Sequence, residues 1–210
     1  MQKRRIVLGF DLFGTILDTS SVLQEFRRKQ LEYTWLLTLM GRYLEFEEIT
    51  KRALIYVLKS RNEEEKFNEE IDKWNNLPAY PDAIYLKDIA SEAEIYILSN
   101  GSEKEVRSHL ARNGLLQYFK GIFSAERVKE YKPSPKVYKG FLDYVNVKDA
   151  EVFLVSSNPF DVIGAKNAGL GGIYVNRRNI LVDPLGIEPD LIVKDFRELY
   201  EWLIKKRTSK

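Results

Sequence analysis

The chain has 210 residues, of which 44% are hydrophobic and 30% are charged, and this balance is typical of a globular protein with a proper core. Lys and Arg number 33 against 31 Asp and Glu, so the net charge of +2 gives no reason to expect a nucleic-acid partner. There is no cysteine, which excludes disulfides, thiolate chemistry and zinc–thiolate sites. The sequence shows no membrane-spanning run and no secretion signal, so we expect a cytoplasmic protein with no membrane partner.

Two residue counts carry further expectations. Met, Gln and Cys are scarce while balanced charge is abundant, which is the pattern of a heat-adapted protein. The only histidine, His109, lies in a polar helical stretch, and we predict that it is a surface residue. Any hydrolytic chemistry would then use a carboxylate, a lysine or a tyrosine as its base.

The segment Phe10-Asp11-Leu12-Phe13-Gly14-Thr15 carries most of the functional information. It follows the apolar run Ile6-Val7-Leu8, which predicts a buried strand that ends at Asp11, where open α/β sheets place their sites. The second residue after Asp11 is Phe13 and not another acid, which favours attack on a carbon centre over phosphate chemistry with Mg²⁺. The alternative is an Asx turn that closes the strand, with Phe13 in the core.

A helical block without any strand pattern follows the first strand. Asp18-Thr19-Ser20 offers N-cap candidates, and apolar residues recur with helical spacing as far as Met40. Further helical stretches are predicted over 46–60 and 62–74. We predict that residues 16–79 form an inserted helical cap, with 1–15 and 80–210 forming a catalytic core. The alternative is an all-helical face of the same domain.

Strand and helix patterns alternate from Pro81 onward. Strands are predicted at 93–99, 121–124, 151–156, 172–176 and 190–193. Helices are predicted at 102–113, 134–145, 159–168 and 195–206. This alternation predicts an α/β fold, a doubly wound parallel sheet with a Rossmann-like core.

Polar residues gather just after the ends of three predicted strands, and a lysine before a proline joins them from a loop. The carboxyl ends of parallel strands meet at one edge of the sheet, so these side chains are expected to lie close together. Each residue alone is ordinarily part of a turn, a helix start or an exposed surface, but their convergence predicts an active site. The residues are Asp11, Thr15, Ser99, Asn100, Lys132, Ser156, Asn158 and Asp161.

This set resembles the haloacid dehalogenase superfamily and, within it, the L-2-haloacid dehalogenases. The resemblance covers nearly the whole chain. Its most discriminating part is Lys29-Gln30-Leu31-Glu32-Tyr33-Thr34-Trp35-Leu36 in the helical block, which phosphatases of the superfamily do not share. The other matching motifs are 10–15, Leu98-Ser99-Asn100-Gly101, Tyr131-Lys132-Pro133 and Val155-Ser156-Ser157-Asn158-Pro159-Phe160-Asp161.

The resemblance implies hydrolysis of short (S)-2-haloacids to (R)-2-hydroxyacids and halide, through a covalent ester on Asp11 and without a metal or other cofactor. Thr15 would orient this nucleophile, Lys132 would stabilise the negative charges, and Tyr138 would support the carboxylates by hydrogen bonding. The residues implied to position and activate the water are Ser156, Asn158 and Asp161. The residues implied to bind the substrate are Leu12, Phe13, Ser99, Asn100 and Phe160.

Position 37 departs from the family pattern. The family has an arginine directly after the Tyr-Thr-Trp-Leu run, thought to contact the leaving halide, and this chain has Leu37 there. Without that cation, the carbon–halogen step would be weaker or the substrate range narrower. Arg42 lies five residues further on and is expected to point to another face of the helix.

Two rival functions stay open at this point. A Mg²⁺-dependent phosphatase on the same fold would need an acid at position 13 and a carboxylate-rich metal end, where this chain has Phe13 and the neutral run Ser156-Ser157-Asn158. A dehalogenase-like scaffold that binds small acids, with weak activity, is the second rival. Exposed apolar residues on long helices also predict a homodimer. The expected ligands are a small 2-haloalkanoic acid and halide.

Overall fold

The computed structural model describes residues 5–146 and 148–208, and its centre is one sheet of six strands. The strands are β1 Arg5–Phe10, β2 Glu94–Ser99, β3 Gly121–Ser124, β4 Ala150–Ser156, β5 Gly171–Val175 and β6 Leu191–Val193. Their order is β3-β2-β1-β4-β5-β6, and every neighbouring pair is parallel. The prediction of a doubly wound α/β fold is therefore confirmed.

Eight α-helices connect and flank the strands within the described residues. They are α1 Gln24–Leu39, α2 Phe46–Arg61, α3 Phe67–Asn75, α4 Leu86–Glu92, α5 Glu103–Arg112, α6 Pro135–Val145, α7 Pro159–Asn167 and α8 Phe196–Thr208. None of the helices described is long and apolar enough to span a membrane.

The order of the strands reverses at β1, and this reversal places the site. The chain runs outward from β1 through β2 to β3, and then returns so that β4 pairs with the free side of β1. Phe10 at the end of β1 is paired with Ile97 of β2 and with Val155 of β4. Connections leave in opposite directions at such a point, and the crevice between them is where open α/β sheets bind ligands.

The centre of the sheet is packed with apolar side chains. Every residue of β1 after Arg5 is buried, and the ring of Phe10 meets Phe196 of α8 edge-on at 5.4 Å. Gly9 is required by this packing, because a Cβ there would stand 2.8 Å from ring atoms of Phe141. Burial of this strand holds the residue that follows it in a fixed place.

The helices α1, α2 and α3 form a block that leaves and rejoins the core at one place. Leu17 and Ala79 form an antiparallel bridge, the Asp18 N–H donates to the Pro78 carbonyl at 2.8 Å, and the Tyr80 N–H donates to the Ile16 carbonyl at 2.8 Å. The two chain segments that connect the block to the core are therefore hydrogen-bonded to each other.

The first and third helical predictions need correction. Asp18-Thr19-Ser20 does not cap α1, which begins at Gln24 without any side-chain cap, because Asp18 Oδ1 instead accepts the Ser20 N–H at 2.8 Å in a local turn. The stretch predicted over 62–74 is not one helix. Asn62 adopts the left-handed conformation that ends α2, and a short 3₁₀ helix over Glu64–Lys66 precedes α3.

Candidate active site

The carboxylate of Asp11 lies just past the end of β1 and is almost fully buried. Its backbone N–H donates to the Val155 carbonyl of β4 at 3.0 Å, which fixes the residue between the two central strands. Its Oδ2 accepts hydrogen bonds from Thr15 Oγ1 at 2.7 Å, Asn158 Nδ2 at 2.7 Å and Ser156 Oγ at 3.4 Å. One oxygen of the carboxylate is thus saturated with donors.

A buried cation, Lys132, joins the other oxygen of Asp11 to a second carboxylate. Its Nζ lies 3.1 Å from Asp11 Oδ1 and 2.9 Å from Asp161 Oδ2. Burial lowers the pKa of Lys132, but the two carboxylates more than offset this, and its pKa is raised above the ordinary value. Burial, with the negative charge of Asp11, raises the pKa of Asp161 despite the attraction of Lys132. The lysine therefore stays charged at neutral pH.

Tyr138 of α6 holds the second carboxylate in place. Its hydroxyl donates to Asp161 Oδ1 at 2.7 Å, and both residues are buried. Burial raises the pKa of Tyr138 well above its ordinary value, so the hydroxyl keeps its proton and remains a donor. Asp161 lies in the first turn of α7, where a negative charge is stabilised by the helix dipole.

The donors to Asp11 are themselves held by the backbone. Thr15 Oγ1 accepts the Ser157 N–H at 2.8 Å, and Ser156 Oγ accepts the Asn158 N–H at 3.1 Å. The side chain of Asn158 also donates to the Phe13 carbonyl at 3.2 Å. Donors fixed in this way need no rearrangement when charge develops on the carboxylate, which is the condition for electrostatic preorganisation.

Several residues implied to bind the substrate surround a set of available hydrogen-bond donors. Among the described residues, the backbone N–H groups of Leu12 and Phe13 donate to no protein group. Ser99 is fully buried, and its Oγ accepts the backbone N–H two residues later at 3.1 Å. Asn100 Oδ1 accepts the Lys132 N–H at 3.0 Å, which ties this loop to the lysine. An anionic group is the ligand that such amides and hydroxyls suit.

Two aromatic residues of the core contact the helical block beside the site. Phe13 stacks on Trp74 of α3 at 4.5 Å and on Phe46 of α2 at 5.8 Å. Phe160, in the first turn of α7, meets Trp35 of α1 edge-on at 5.3 Å. Both aromatic residues that the resemblance implies in substrate binding therefore contact the helical block.

Arg27 of α1 is a second largely buried cation, and the sequence analysis did not single it out. Its guanidinium carbon lies 5.9 Å from the centre of the Phe13 ring and 5.6 Å from that of Trp74. Burial lowers the pKa of Arg27 to about 10, while the negative charge of Asp11 opposes the shift. It is therefore still a cation at neutral pH. Helical spacing could have indicated its position, because residue 27 lies four residues from both Leu23 and Leu31 and so shares their face of the helix.

The structure places a cation near Asp11 that the departure at position 37 did not lead us to expect. Leu37 packs against the apolar core, and it is ten helical residues from Arg27, or about 15 Å along the axis of α1. Arg42 is exposed and lies beyond the end of the helix at Leu39, so a comparison of helix faces does not apply to it. The cation near Asp11 is Arg27.

The prediction that His109 is a surface residue is wrong. His109 is only 2% exposed, and its ring meets Phe13 edge-on at 5.5 Å. The helix α5 is polar on one face, but Val106, His109 and Leu110 have the spacing of a buried stripe. Burial lowers the pKa of His109 to about 4, so the ring is neutral at neutral pH.

Glu105, one turn before His109, is an acid with a buried carboxyl group, and the sequence analysis did not single it out. Its Oε1 accepts the Trp74 Nε1–H at 2.9 Å, and its Oε2 has no hydrogen-bond partner within the described residues. Burial raises the pKa of Glu105 to about 7. Arg27 and Glu105 thus both contact Trp74, one over its ring and one at its edge.

The seven side chains predicted to be catalytic lie in one connected hydrogen-bonded cluster. They are Asp11, Thr15, Lys132, Tyr138, Ser156, Asn158 and Asp161. Such a cluster offers a nucleophilic carboxylate, a second carboxylate of raised pKa and a permanent cation between them. In the described part of the chain, no group of three or more His, Asp or Glu side chains is placed to hold a metal ion.

Comparison with known proteins identifies the family. The family model for haloacid dehalogenase-like hydrolases matches residues 8–175. An (S)-2-haloacid dehalogenase of Pseudomonas putida is 33% identical over 215 aligned positions, which cover 93% of this chain and 96% of the relative. An (S)-2-haloacid dehalogenase of Xanthobacter autotrophicus is 37% identical over 186 positions, covering 80% of this chain and 74% of the relative.

The fold agrees with these sequence matches. A solved structure of the L-2-haloacid dehalogenase of Xanthobacter autotrophicus, with chloropropionic acid covalently bound, superposes with a TM-score of 0.85. The two chains are 30% identical in this superposition, which covers 95% of this chain and 98% of that one. The chain therefore belongs to the L-2-haloacid dehalogenase family of the haloacid dehalogenase-like hydrolases.

Proposed function

We propose that the protein hydrolyses short (S)-2-haloacids to (R)-2-hydroxyacids and halide, through a covalent ester on Asp11. The observation that carries this proposal is the asymmetry of the Asp11 carboxylate. Three donors hold Oδ2, whereas Oδ1 has Lys132 as its donor among the described residues and keeps lone pairs for attack. Position 13, where a phosphatase of this fold needs an acid, is Phe13.

The first step is displacement at the substrate carbon. The substrate carboxylate would bind to the free N–H groups of Leu12 and Phe13, with Ser99 beside them. Asp11 Oδ1 then forms a bond to the carbon while the carbon–halogen bond breaks, and the electron pair leaves with the halide. Attack from the side opposite the halogen inverts the carbon. The positive charge of Arg27 lies near Asp11 and would stabilise the departing halide.

The second step is hydrolysis of the aspartyl ester. Water attacks the Asp11 carbonyl carbon, and Asp161, whose raised pKa makes it the better base, takes the proton. The negative charge that develops on Oδ2 falls where Thr15, Ser156 and Asn158 already donate. The ester bond to the product then breaks, the product oxygen takes up a proton, and Asp11 is regenerated with one oxygen from water.

The donor chemistry around Asp11 favours a mechanism without a metal. A Mg²⁺ ion would have to coordinate one of the two carboxylate oxygens of Asp11. Oδ2 faces the O–H of Thr15 and the N–H of Asn158, and Oδ1 faces the ammonium group of Lys132. Mg²⁺ needs oxygen ligands with free lone pairs and is repelled by such hydrogens. The cationic role between the two carboxylates is already filled by Lys132.

A single-turnover experiment in ¹⁸O-labelled water tests the covalent scheme. With enzyme in excess over (S)-2-chloropropanoate, the label is expected in Asp11 first and in the product only after repeated turnover. Asp11→Asn should remove activity while the fold, checked by circular dichroism, is retained. Label that enters the product in the first turnover would show direct attack by water and would refute the ester.

Halide release with and without EDTA separates the rival functions. The proposal expects release from (S)-2-chloropropanoate that survives EDTA and is not stimulated by Mg²⁺. Mg²⁺-dependent hydrolysis of a phosphate ester would favour the phosphatase. Binding of the acid with no halide release would favour the binding scaffold. The reason to consider such a scaffold was a missing cation at the leaving group, and Arg27 supplies a positive charge near Asp11.

We also propose that residues 16–79 act as a cap over the site and that the protein is a homodimer. The paired connections at Leu17 and Ala79, together with the Phe13–Trp74 stack, support a block that covers Asp11 as a unit. The end of α1 exposes Leu39 and Met40, which are 84% and 59% exposed, and such residues are typical of a contact surface. Light scattering on Leu39→Glu and parent protein tests the dimer.

A further inference from the structure

A cavity of about 350 Å³ lies beside the catalytic cluster and is lined largely by charged and polar groups. Its inner wall includes Gly14 and Asn158, and Asn158 donates to Asp11 at 2.7 Å. The cavity is thus one side chain away from the nucleophile. Pockets of about 300 to 1,000 Å³ take ligands of drug size, so this space is larger than a three-carbon acid requires.

Four arginines and one acid line this cavity. They are Arg27, Arg28, Arg177 and Arg178, with Asp18. Asp18 accepts the Ser20 N–H at 2.8 Å, and this one carboxylate offsets only one of the four positive charges. The cavity consequently carries a strong excess of positive charge, which favours anionic ligands.

Two of the arginines have defined roles. Arg27 faces Phe13 and Trp74 and belongs to the leaving-group side of the site. Arg177 donates to Asp82 Oδ1 at 3.2 Å, to Asp82 Oδ2 at 2.8 Å and to Ser157 Oγ at 3.0 Å. Arg177 is therefore part of the wall.

The other two arginines are available to a ligand. Within residues 5–146 and 148–208, neither Arg28 nor Arg178 makes a hydrogen bond or an ion pair with a side chain. Arg28 lies on α1 of the helical block and Arg178 follows β5 of the core, and both line the cavity. The charge of Arg178 lowers the pKa of Tyr80 and of Tyr174, which also line the cavity, although burial raises both overall.

We infer that Arg28 and Arg178 form a second anion subsite, which accepts the distal carboxylate of a 2-halodicarboxylic acid whose reacting end lies at Asp11. The guanidinium group binds carboxylates through two parallel hydrogen bonds, so this pair suits a carboxylate better than a neutral chain end. The inference rests on the proposed function, because it assumes displacement of the halogen at the carbon next to the first carboxylate. It makes the outer end of the cavity a determinant of substrate choice.

The test compares substrates that differ only in the distal group. The probes are (S)-2-chlorosuccinate and (S)-2-chlorobutanoate, which have the same carbon count, and the measurement is halide release. The parent is expected to show a higher kcat/KM for the diacid. Arg28→Gln and Arg178→Gln should lower the ratio of diacid to monoacid kcat/KM by about ten- to one-hundredfold, as loss of a hydrogen-bonded charge pair does. Arg28→Lys keeps the charge but loses the paired donors of the guanidinium group, so its ratio should lie between those of the parent and of Arg28→Gln.

Arg52→Gln is the matched control, because Arg52 is an exposed helical arginine of the same block, paired only with Glu48 in the described structure. It removes the same charge and should leave the ratio as in the parent. A diacid that is turned over no better than the monoacid, or a ratio that the two glutamine variants do not lower, would overturn the inference. Halide release from neither acid would instead count against the proposed function itself.

Discussion

The buried charges of the site are arranged as two negative and two positive groups. Asp11 and Asp161 share the ammonium group of Lys132, and Arg27 lies on the side of Asp11 that faces the helical block. Two carboxylates around one lysine would leave a net negative charge, which disfavours an anionic substrate. Arg27 offsets this charge before any substrate binds, so the site can accept a second anion near a nucleophile that must itself remain ionised.

Removing the charge of Arg27 should therefore damage the carbon–halogen step. We expect Arg27→Met to lower kcat for (S)-2-chloropropanoate by about 10²–10³, the usual loss for one preorganised stabilising group. The loss should be larger for the chloride than for the bromide, because chloride is the poorer leaving group and relies more on positive charge in the transition state. Halide release under single-turnover conditions measures this step.

Arg42→Met provides the control for charge, since Arg42 is an exposed arginine just beyond α1. It should leave the chloride-to-bromide rate ratio unchanged. If Arg27→Met also leaves that ratio unchanged while slowing both reactions, the side chain acts through packing on Phe13 and Trp74 and not through the leaving group.

Glu105 gives the protein a pH-dependent stability with a definite sign. Its pKa is about 7 in the folded protein against an ordinary value of 4.5, so the folded state binds the proton more tightly than the unfolded state. The stabilisation is complete below pH 4.5 and is lost as the pH rises through 7. The groups that face this carboxyl group are Trp74, Glu47 and Arg27.

Glu105→Gln should therefore be more stable than the parent at high pH and lose this advantage at low pH. We expect the difference in the free energy of unfolding to grow by about 2 to 3 kcal/mol between about pH 5 and about pH 8.5. Urea denaturation of both proteins at the two pH values measures it. A constant difference across that range would mean that Glu105 is ionised in the folded protein at both values.

The meeting of side chains was predictable where the motif itself positions them at the end of a strand. Asp11 and Asn158 follow the ends of buried strands, so their meeting was implied by the parallel sheet. Arg27, Glu105 and His109 were missed or misplaced, because each lies in a helix that is charged overall. Their burial depends on Trp74 and Phe13 meeting across the gap between the helical block and the core, and helical periodicity alone does not report such a contact.

Among the helices, α5 is linked to the helical block through its N-cap residue. Ser102 is the N-cap of α5, and its Oγ accepts the Glu105 N–H at 3.1 Å while donating to the Glu47 carboxylate of α2. Ser102→Ala removes both contacts and should lower the free energy of unfolding by about 1 kcal/mol or somewhat more. Thermal or urea unfolding followed by circular dichroism measures this.

The control for this helix is Ser108→Ala, which changes an exposed position in the middle of α5. Alanine is the better helix former, so this variant should be neutral or slightly stabilised. Equal losses for Ser102→Ala and Ser108→Ala would mean that the N-cap contributes nothing that is specific to its position.

The helices and strands were predicted well where the spacing of apolar residues and the residues typical of an element's end indicate the same boundary. The predicted helix over 134–145 begins at Pro135, with Ser134 as its side-chain cap, and the strand predicted over 121–124 has those bounds. The prediction of where α1 begins was wrong, because Asp18 accepts a hydrogen bond in a turn within the segment that connects the core to the helical block. A side chain that could cap a helix accepts a hydrogen bond from whichever backbone N–H is closest. The pairing of Leu17 with Ala79 holds this segment so that the closest N–H to Asp18 is that of Ser20.

At the scale of the whole molecule, alternation of strands and helices predicted a parallel sheet but not its order. The position of β1 between β2 and β4 follows from the direction of each crossover, which local pattern does not encode. That order nevertheless creates the crevice that holds Asp11. The same limit applies to the packing of α1 and α3 on the core, which places Arg27 beside the nucleophile.

Networks of ion pairs across the surface support the expectation of heat adaptation. Glu94 of β2 pairs with Arg5 of β1 and, at 3.0 Å, with Lys120 before β3, so one carboxylate joins three neighbouring chain segments. Shared carboxylates of this kind gain importance as temperature rises, because the cost of removing charges from water falls. We therefore expect a thermal midpoint above the range of about 45–65 °C that is usual for mesophilic domains.

Glu94→Gln should lower that midpoint by about 2–4 °C, since surface ion pairs contribute at most about 1 kcal/mol and the protein is of this size class. Glu64→Gln is the control, because Glu64 is exposed and takes part in no ion pair among the described residues. The difference between the two variants should shrink in about 1 M salt, where the Debye length falls to about 3 Å and the attraction between exposed charges is weakened. A parent midpoint within the mesophilic range would contradict the heat adaptation. Equal shifts for the two variants would show that the Glu94 network adds nothing beyond the loss of one charge.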